Sequence, residues 1–306
     1  MEDFPVVSIC MITYGHEKFI EQAINGVLMQ ECNFKIELIV ANDCSPDKTD
    51  EIVQDILNNH PKVSLLKYFR QEKNVGVMPN FIFALQQCKG KYIALCDGDD
   101  YWTDSRKLQK QVDFFETNPD YIIHSANAAQ LELDSDIVGN KLLNDVADCS
   151  FVLEDFLANN NLLTCTAMFR NIEFQLPADF MKVTFGDWFL YVILLKTSGN
   201  KAYRSTELFS VYRVHSGGVM GTMNNLKHYA THVTQIMIIH KYLKIKKLGA
   251  RAKMVLSYYF LQQYRILLKE KMYSKSLKLF ISNFKYCKTE VPFKKYLSEI
   301  KHHILS

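Results

Sequence analysis

No stretch of 18 or more apolar residues occurs in these 306 residues, so no helical membrane span is expected. The longest apolar run near the middle covers only residues 189–195. Cysteine occurs eight times but never at Cys-x-x-Cys spacing, and several cysteines sit inside apolar runs. That excludes a zinc ribbon or a disulfide framework and predicts reduced core thiols in a cytosolic protein. There is no Gly-x-Gly-x-x-Gly dinucleotide fingerprint, no P-loop and no repeat period. Glu2 and Asp3 stand where a secretory signal would be basic, so none is expected. What remains is 48% apolar and 12% aromatic, which predicts a globular chain of one or two domains.

The near-neutral net charge hides an asymmetry. Residues 241–306 hold 16 Lys/Arg and 3 Asp/Glu, a balance of +13, while the rest holds 20 and 30, a balance of −10. Two different surfaces with different partners are expected.

Residues 6–13 form an apolar run with β-branched members, a first strand. Tyr14-Gly15-His16-Glu17 breaks it, and Phe19, Ile20, Ala23, Ile24, Val27 and Leu28 recur at helical spacing. A second strand over 36–40 ends at Asn42-Asp43-Cys44-Ser45, a helix beginning near Pro46 runs over 49–57, and a third strand covers 63–69. Asn74-Val75-Gly76 is a turn before a helix over 79–87, and a fourth strand leads into Asp97. Strands alternating with helices imply an α/β, doubly wound, mainly parallel sheet of Rossmann-like type. Further on, the pattern predicts a helix over 105–116, strands over 121–133, 162–169 and 203–214, and a polar excursion over 134–150. Gly186-Asp187-Trp188 opens a helix to Lys196, and from Asn225 the periodicity is helical to the end.

The most informative stretch is the apolar strand ending in Asp97-Gly98-Asp99-Asp100. Ligands of α/β sheets bind at the carboxyl ends of the strands, so these carboxylates are presented where a ligand would sit. Packed this closely they repel one another unless compensated. A hard divalent cation that bridges carboxylates to substrate phosphates would do so, whereas a solvated acidic turn is the plainer alternative.

Taken in order, Val7-Ser8-Ile9 leading to Thr13-Tyr14, Asn42-Asp43-Cys44-Ser45 with Asp47 and Thr49, Asn74-Val75-Gly76, Asp97-Gly98-Asp99-Asp100, Gly186-Asp187-Trp188 and Tyr212-Arg213-Val214-His215 resemble glycosyltransferase family 2 over residues 5–218. The resemblance implies a GT-A fold and an inverting, metal-assisted transfer from a nucleoside diphosphate sugar, with UDP as the expected nucleotide, to a glycan hydroxyl. It departs from the family's Asp-Asp-Gly-Ser at 42–45, where only Asp43 and Ser45 are kept, and Gly15 stands where Asn is common. It divides the chain into a catalytic domain over 1–220, with a nucleotide half over 1–100 and an acceptor half over 101–220, and a basic helical region over 221–306.

By the same resemblance, Asp99 and His215 hold Mn²⁺ or Mg²⁺, with imidazole favouring Mn²⁺, and Asp97 supports the ribose and metal-bound water. Thr13 and Tyr14 line the base, Asp43 accepts from a uracil-type imide, and Asn74 and Gly76 flank the nucleotide. Asp187 is the expected general base and Trp188 an apolar wall for a sugar face. Each has a plainer alternative: a helix cap for Asp43 or Asp187, a bare turn at Asn74 and Gly76, an ordinary loop hydrogen bond for His215. A sugar-nucleotide pyrophosphorylase would need a Gly-rich loop after the first strand, and a non-catalytic scaffold would not need Asp97, Asp99, Asp187 and His215 together. The expected acceptor is a glycan or lipid-linked glycan of bacterial surface polysaccharide synthesis. The expected place is the cytoplasm, peripheral on the inner face of the membrane, where lysines with Tyr and Phe suit an anionic leaflet. No nucleic-acid motif is present, while helices merely packing on the catalytic domain would also account for the tail.

Overall fold

Strand β1 (Val7–Thr13) places Val7, Ile9 and Met11 on one face and Cys10 on the other. Strand β2 (Ile36–Asn42) divides likewise into Ile36, Leu38 and Val40 against Ile39 and Ala41. Both faces are buried, so each strand reads as a continuous apolar run. A slip of one residue would exchange the two faces, which pins the register. Helices α1 (Ile20–Leu28) and α2 (Thr49–Asn59) cover the first face, and α3 (Val77–Gln87) the second. With β3 (Leu66–Arg70) and β4 (Tyr92–Leu95) these strands pair in parallel, in the order β3-β2-β1-β4. All of this comes from the computed structural model, which describes residues 4–133, 137–139, 147–219, 221, 223–287 and 295–299.

Beyond β4 the sheet is mixed. It adds β5 (Tyr101–Trp102), β6 (Tyr121–Glu132), β7 (Ile137–Gly139), β8 (Cys149–Phe151), β9 (Met168–Arg170) and β10 (Lys201–Val214), interleaved with helices α4 (Lys107–Thr117) and α5 (Gly186–Ser198). The order continues β4-β9-β6-β10-β5, and only β6 and β10 are parallel in this half. The mainly parallel expectation therefore describes strands β1–β4 alone.

The strand expected over 162–169 is confined to Met168–Arg170, because Thr164–Thr166 forms a 3-10 turn. The Thr166 hydroxyl donates to the Ala126 carbonyl, at 3.1 Å, and lies 2.7 Å from the Ser125 hydroxyl, bonds that hold the turn off the ladder. The third strand likewise starts late, with residues 63–65 in a 3-10 turn. Part of the polar excursion and the end of the chain lie outside the described residues.

Helix α5 is buried on all sides from Trp188 to Leu195, the central element of the second core. Against it packs α6 (Asn225–Tyr242), on which lies α7 (Ala250–Lys269) and then α8 (Tyr273–Cys287). Ile236, Ile239, Leu256 and Phe260 share one core with α3 and α5, at about 1.5–3 kcal/mol per fully buried side chain. The expected boundary at residue 220 is therefore not a boundary in the core. No helix among the described residues is long and apolar enough to cross a membrane.

Candidate active site

The parallel strands β1, β2 and β4 all end at one edge of the sheet, and their following loops meet there. Consecutive amides of Gly15, His16 and Glu17 donate to Ser45 Oγ at 3.0 Å, Thr49 Oγ1 at 2.9 Å and Asp47 Oδ2 at 3.0 Å. The loop after β1 is thus clamped to the loop after β2. Thr13 is buried at the strand end, with its hydroxyl 3.1 Å from His16 Nδ1, while Tyr14 is exposed beside it.

Asp43 is buried, and its two carboxylate oxygens accept from the amides of Val75 at 2.7 Å and Gly76 at 2.9 Å. It holds the Asn74-Val75-Gly76 turn at this edge of the sheet. The plainer reading of Asp43 is a helix cap or a turn residue; helix α2 begins at Thr49 and Asp43 does not cap it, while its bonds to Val75 and Gly76 are those of a turn-holding residue.

The acidic loop is built on a close approach at Gly98. A Cβ there would fall 2.7 Å from Thr13 Oγ1 and 3.1 Å from His16 Nδ1, so a side chain would push the two loops apart. Asp100 turns inward and accepts the Arg213 amide at 2.8 Å. The Arg213 guanidinium donates to the Asp99 carbonyl at 2.5 Å and lies 4.4 Å from the Tyr101 ring centre, stapling the end of β10 onto the loop. That staple delivers His215, whose Nε2 lies 3.2 Å from Asp99 Oδ2 across 116 residues of chain. His16 Nε2 approaches the same oxygen at 3.8 Å.

The three carboxyls are driven apart in acidity. Burial pushes Asp99 up, but the His215 hydrogen bond and the His16 charge outweigh it, and the net shift is downward. Burial, then the charges of Asp99 and Asp187, pushes Asp97 up to about 8. Burial, then Asp99, pushes Asp100 well above the usual carboxylate range. Closely packed carboxyls whose acidity is pushed up in this way mark a site short of positive charge. Asp99 with His215 is the pair here that could hold a cation. Among the described residues no three His, Cys, Asp or Glu side chains form a ready-made metal cluster.

Asp187 lies in the first turn of α5, where Asn160 Nδ2 and the Thr164 hydroxyl donate to its Oδ2 at 2.8 and 2.6 Å. Burial raises its pKa, with Thr164, the Trp188 amide and Asn160 opposing. Asp97 and Asp187 face one cavity of about 450 Å³, shared with Ile12, Tyr212, His232 and Tyr259. Trp188 also walls this cavity, but its ring is 1% exposed and its Nε1 donates to the Phe156 carbonyl at 2.8 Å. It offers no open face for stacking a sugar, because the indole is committed to the core. The expected site residues therefore fall into three adjoining groups: Asp97, Asp187 and Trp188 on the cavity; Thr13, Asp99 and His215 at the acidic loop; Asp43, Asn74 and Gly76 at the far turn, with Tyr14 exposed.

The family model for glycosyl transferase family 2 matches residues 8–174. The chain belongs to glycosyltransferase family 2. An uncharacterised protein of Mycobacterium tuberculosis is 31% identical over 219 residues, 70% of this chain and 60% of that protein, so the chain spans about three fifths of that relative's length. S. aureus TarS 1–349, in complex with UDP-GlcNAc, superposes with a TM-score of 0.59 at 16% identity, over 97% of this chain and 80% of that one. Mannosyltransferase PcManGT from Pyrobaculum calidifontis, in complex with GDP-Man and Mn²⁺, does so with 0.60 at 16%, over 99% and 80%. The fold is the GT-A type shared by these neighbours.

The departures from the family pattern have local physical reasons. Tyr68 gives its hydroxyl proton to Asp50 at 2.6 Å, so its lone pair needs a donor, which Asn42 Nδ2 supplies at 2.8 Å. An Asp at 42 would face that oxygen with another acceptor. Asn42 Oδ1 still takes the Ser45 amide and hydroxyl, at 2.9 and 2.7 Å. Cys44 adopts the left-handed region at φ 57, the conformation for which the family's glycine is suited. Gly15 does so at φ 72, where glycine and asparagine are the residues best tolerated.

Sequence reasoning assigned no role to His16, Arg213, Asn160, Thr164, His232 or Tyr259. His16 had a usable signal, lying just past a strand end on the loop edge. Arg213 lies inside the Tyr212-Arg213-Val214-His215 motif, and the others carry no such signal, because each acquires its neighbour through contacts made far along the chain.

Proposed function

We propose that this chain transfers a sugar from a nucleoside diphosphate sugar, with UDP as the nucleotide, to a hydroxyl of a glycan acceptor with inversion, in the synthesis of a surface polysaccharide. The observation that carries this reading is that Asp187 and Asp97 face one cavity while Asp99 and His215 close on each other at its edge. Asp99 Oδ2 and His215 Nε2 are 3.2 Å apart, close enough that together they would hold one divalent cation. The donor set of one carboxylate and one imidazole fits Mn²⁺ and admits Mg²⁺. A divalent cation bound there would supply charge to stabilise the departing diphosphate.

The chain's own residues do the rest. Asp43 fixes the turn at 74–76 beside the nucleotide, with Thr13 and Tyr14 at the base. Asp187 takes the proton of the acceptor hydroxyl as its oxygen bonds to the anomeric carbon from the face opposite the leaving group. The bond from that carbon to the diphosphate oxygen breaks, and its electron pair leaves with UDP. A single carboxylate suffices as base, since the leaving group needs no proton. TarS carries UDP-GlcNAc and PcManGT carries Mn²⁺ in their solved complexes, which supports the donor class and a divalent ion. The test is a panel of nucleotide sugars assayed for Mn²⁺-dependent UDP release, with NMR of the anomer first formed. Release from an α-linked donor giving a β product is expected, and a retained anomer or release unaffected by chelator would sink the proposal.

The acceptor side is proposed to lie on an anionic membrane surface. Helix α8 exposes Tyr273, Leu277, Ile281 and Phe284 along one stripe, flanked by exposed Lys275, Lys278 and Lys285. Such a helix lies in a lipid interface, each lysine adding about 1 kcal/mol of attraction to an anionic leaflet. Cutting the chain near residue 240 is a poor test because Leu256 and Phe260 belong to the catalytic core. Point changes serve instead. Binding to anionic liposomes is expected at low salt and release by about 0.5 M, where the Debye length is about 4 Å. Leu277→Asp with Ile281→Asp should abolish it, and equal partitioning onto neutral liposomes would rule the electrostatic account out.

A further inference from the structure

We infer that helices α6 and α7 build the acceptor subsite of the cavity, and that this subsite takes an uncharged sugar ring and rejects an anionic one. The inference rests on the sugar-transfer reading above. The cavity lining has two parts: the carboxyls of Asp97 and Asp187, and an aromatic wall of Phe185, His232 and Tyr259. The His232 ring is the hub of this aromatic wall, 4.8 Å from Phe185 and 4.9 Å from Tyr259 between ring centres.

The chemistry of His232 follows from its neighbours. Its Nδ1 lies 2.9 Å from the His228 carbonyl oxygen, which can only accept, so Nδ1 carries the proton. Burial lowers its pKa, so Nε2 keeps a lone pair and can accept from a hydroxyl. The wall therefore offers aromatic surface for the apolar face of a pyranose and an acceptor for its rim.

Charge sets the selectivity. The described residues lining the cavity include Asp97, Asp100 and Asp187 but no Lys or Arg. A uronate or phosphate placed there would lose its water without gaining a counter-charge and would face the base itself. An uncharged ring meets neither obstacle. The cavity thus complements a neutral glycosyl acceptor, and His232 and Tyr259 of its aromatic wall, not its carboxyls, come from the region that composition alone marks as a basic tail.

The experiment is saturation-transfer NMR on the full chain with Mn²⁺ and UDP bound. The probes are methyl β-D-glucopyranoside, methyl β-D-galactopyranoside and methyl β-D-glucuronide, and UDP affinity is measured in parallel by calorimetry. Saturation is expected for at least one neutral glycoside, with the glucuronide at least about tenfold weaker, as an unpaired charge beside carboxylates demands. Tyr259→Ala and His232→Ala should each weaken the neutral glycoside by up to about tenfold, the scale of one ring contact, and leave UDP affinity unchanged. Tyr259→Phe, which keeps the ring, should bind it normally and guards against a folding failure of the alanine variant. With UDP bound normally, equal binding of the glucuronide, no saturation of any probe, or alanine variants indistinguishable from the unaltered chain would overturn the subsite while leaving the transfer reading intact. Absence of UDP binding by the unaltered chain would sink both.

Discussion

Asp187→Asn is expected to leave UDP affinity unchanged and to lower sugar transfer by roughly 10²–10⁴-fold, the share carried by a positioned general base. The amide has nearly the shape of the carboxylate and can keep an oxygen toward Asn160 and Thr164, which now donate at 2.8 and 2.6 Å. It cannot take a proton. The pH profile separates this from a structural effect. Burial raises the Asp187 pKa, so the fraction of working base grows as pH rises through that raised value, and activity should climb along the same limb. The Asn variant should lose the limb. Thr164→Val removes a hydrogen bond that favours the ionised form, so the limb should move to higher pH. Near-normal turnover of the Asn variant on its acceptor would take Asp187 out of the mechanism.

Asp99→Ala should abolish the Mn²⁺-dependent part of UDP binding. It removes the anionic partner of His215 and leaves the imidazole alone at the edge of the acidic loop. The loop itself should survive. Its shape rests on the close approach at Gly98 and on Arg213, which bonds the backbone carbonyl of Asp99 and the carboxyl of Asp100, not the Asp99 side chain. Losing Asp99 also relieves the repulsion that raises Asp97 and Asp100. Calorimetry with UDP, with and without Mn²⁺, reads the difference directly. An affinity in Mn²⁺ equal to that of the unaltered chain would show that the cation, if bound, sits elsewhere.

Much of the first hundred residues is legible because their information is local. The apolar alternation that separates Ile9 from Cys10 and Leu38 from Ile39 states which face each strand buries, and parallel neighbours follow from the helices between them. The Asp-Gly-Asp-Asp loop, the Asn-Val-Gly turn and the Gly-Asp-Trp helix start are likewise readable as motifs at element ends. The second half is different. That β9 lies antiparallel between β4 and β6, and that β10 runs beside β6, depends on the sum of many packings between segments far apart in the chain, which no window of sequence contains. That strand order carries His215 across 116 residues to Asp99 and aims Arg213 at the loop it clamps. Trp188, expected as a free stacking surface, became core because Phe156 accepts its only polar hydrogen. His232 and Tyr259 carry no signal as cavity residues, since a helical period tells which face is buried but not what it is buried against; the docking of α6 on α5 and of α7 on α6 decided that they wall the cavity Asp187 faces.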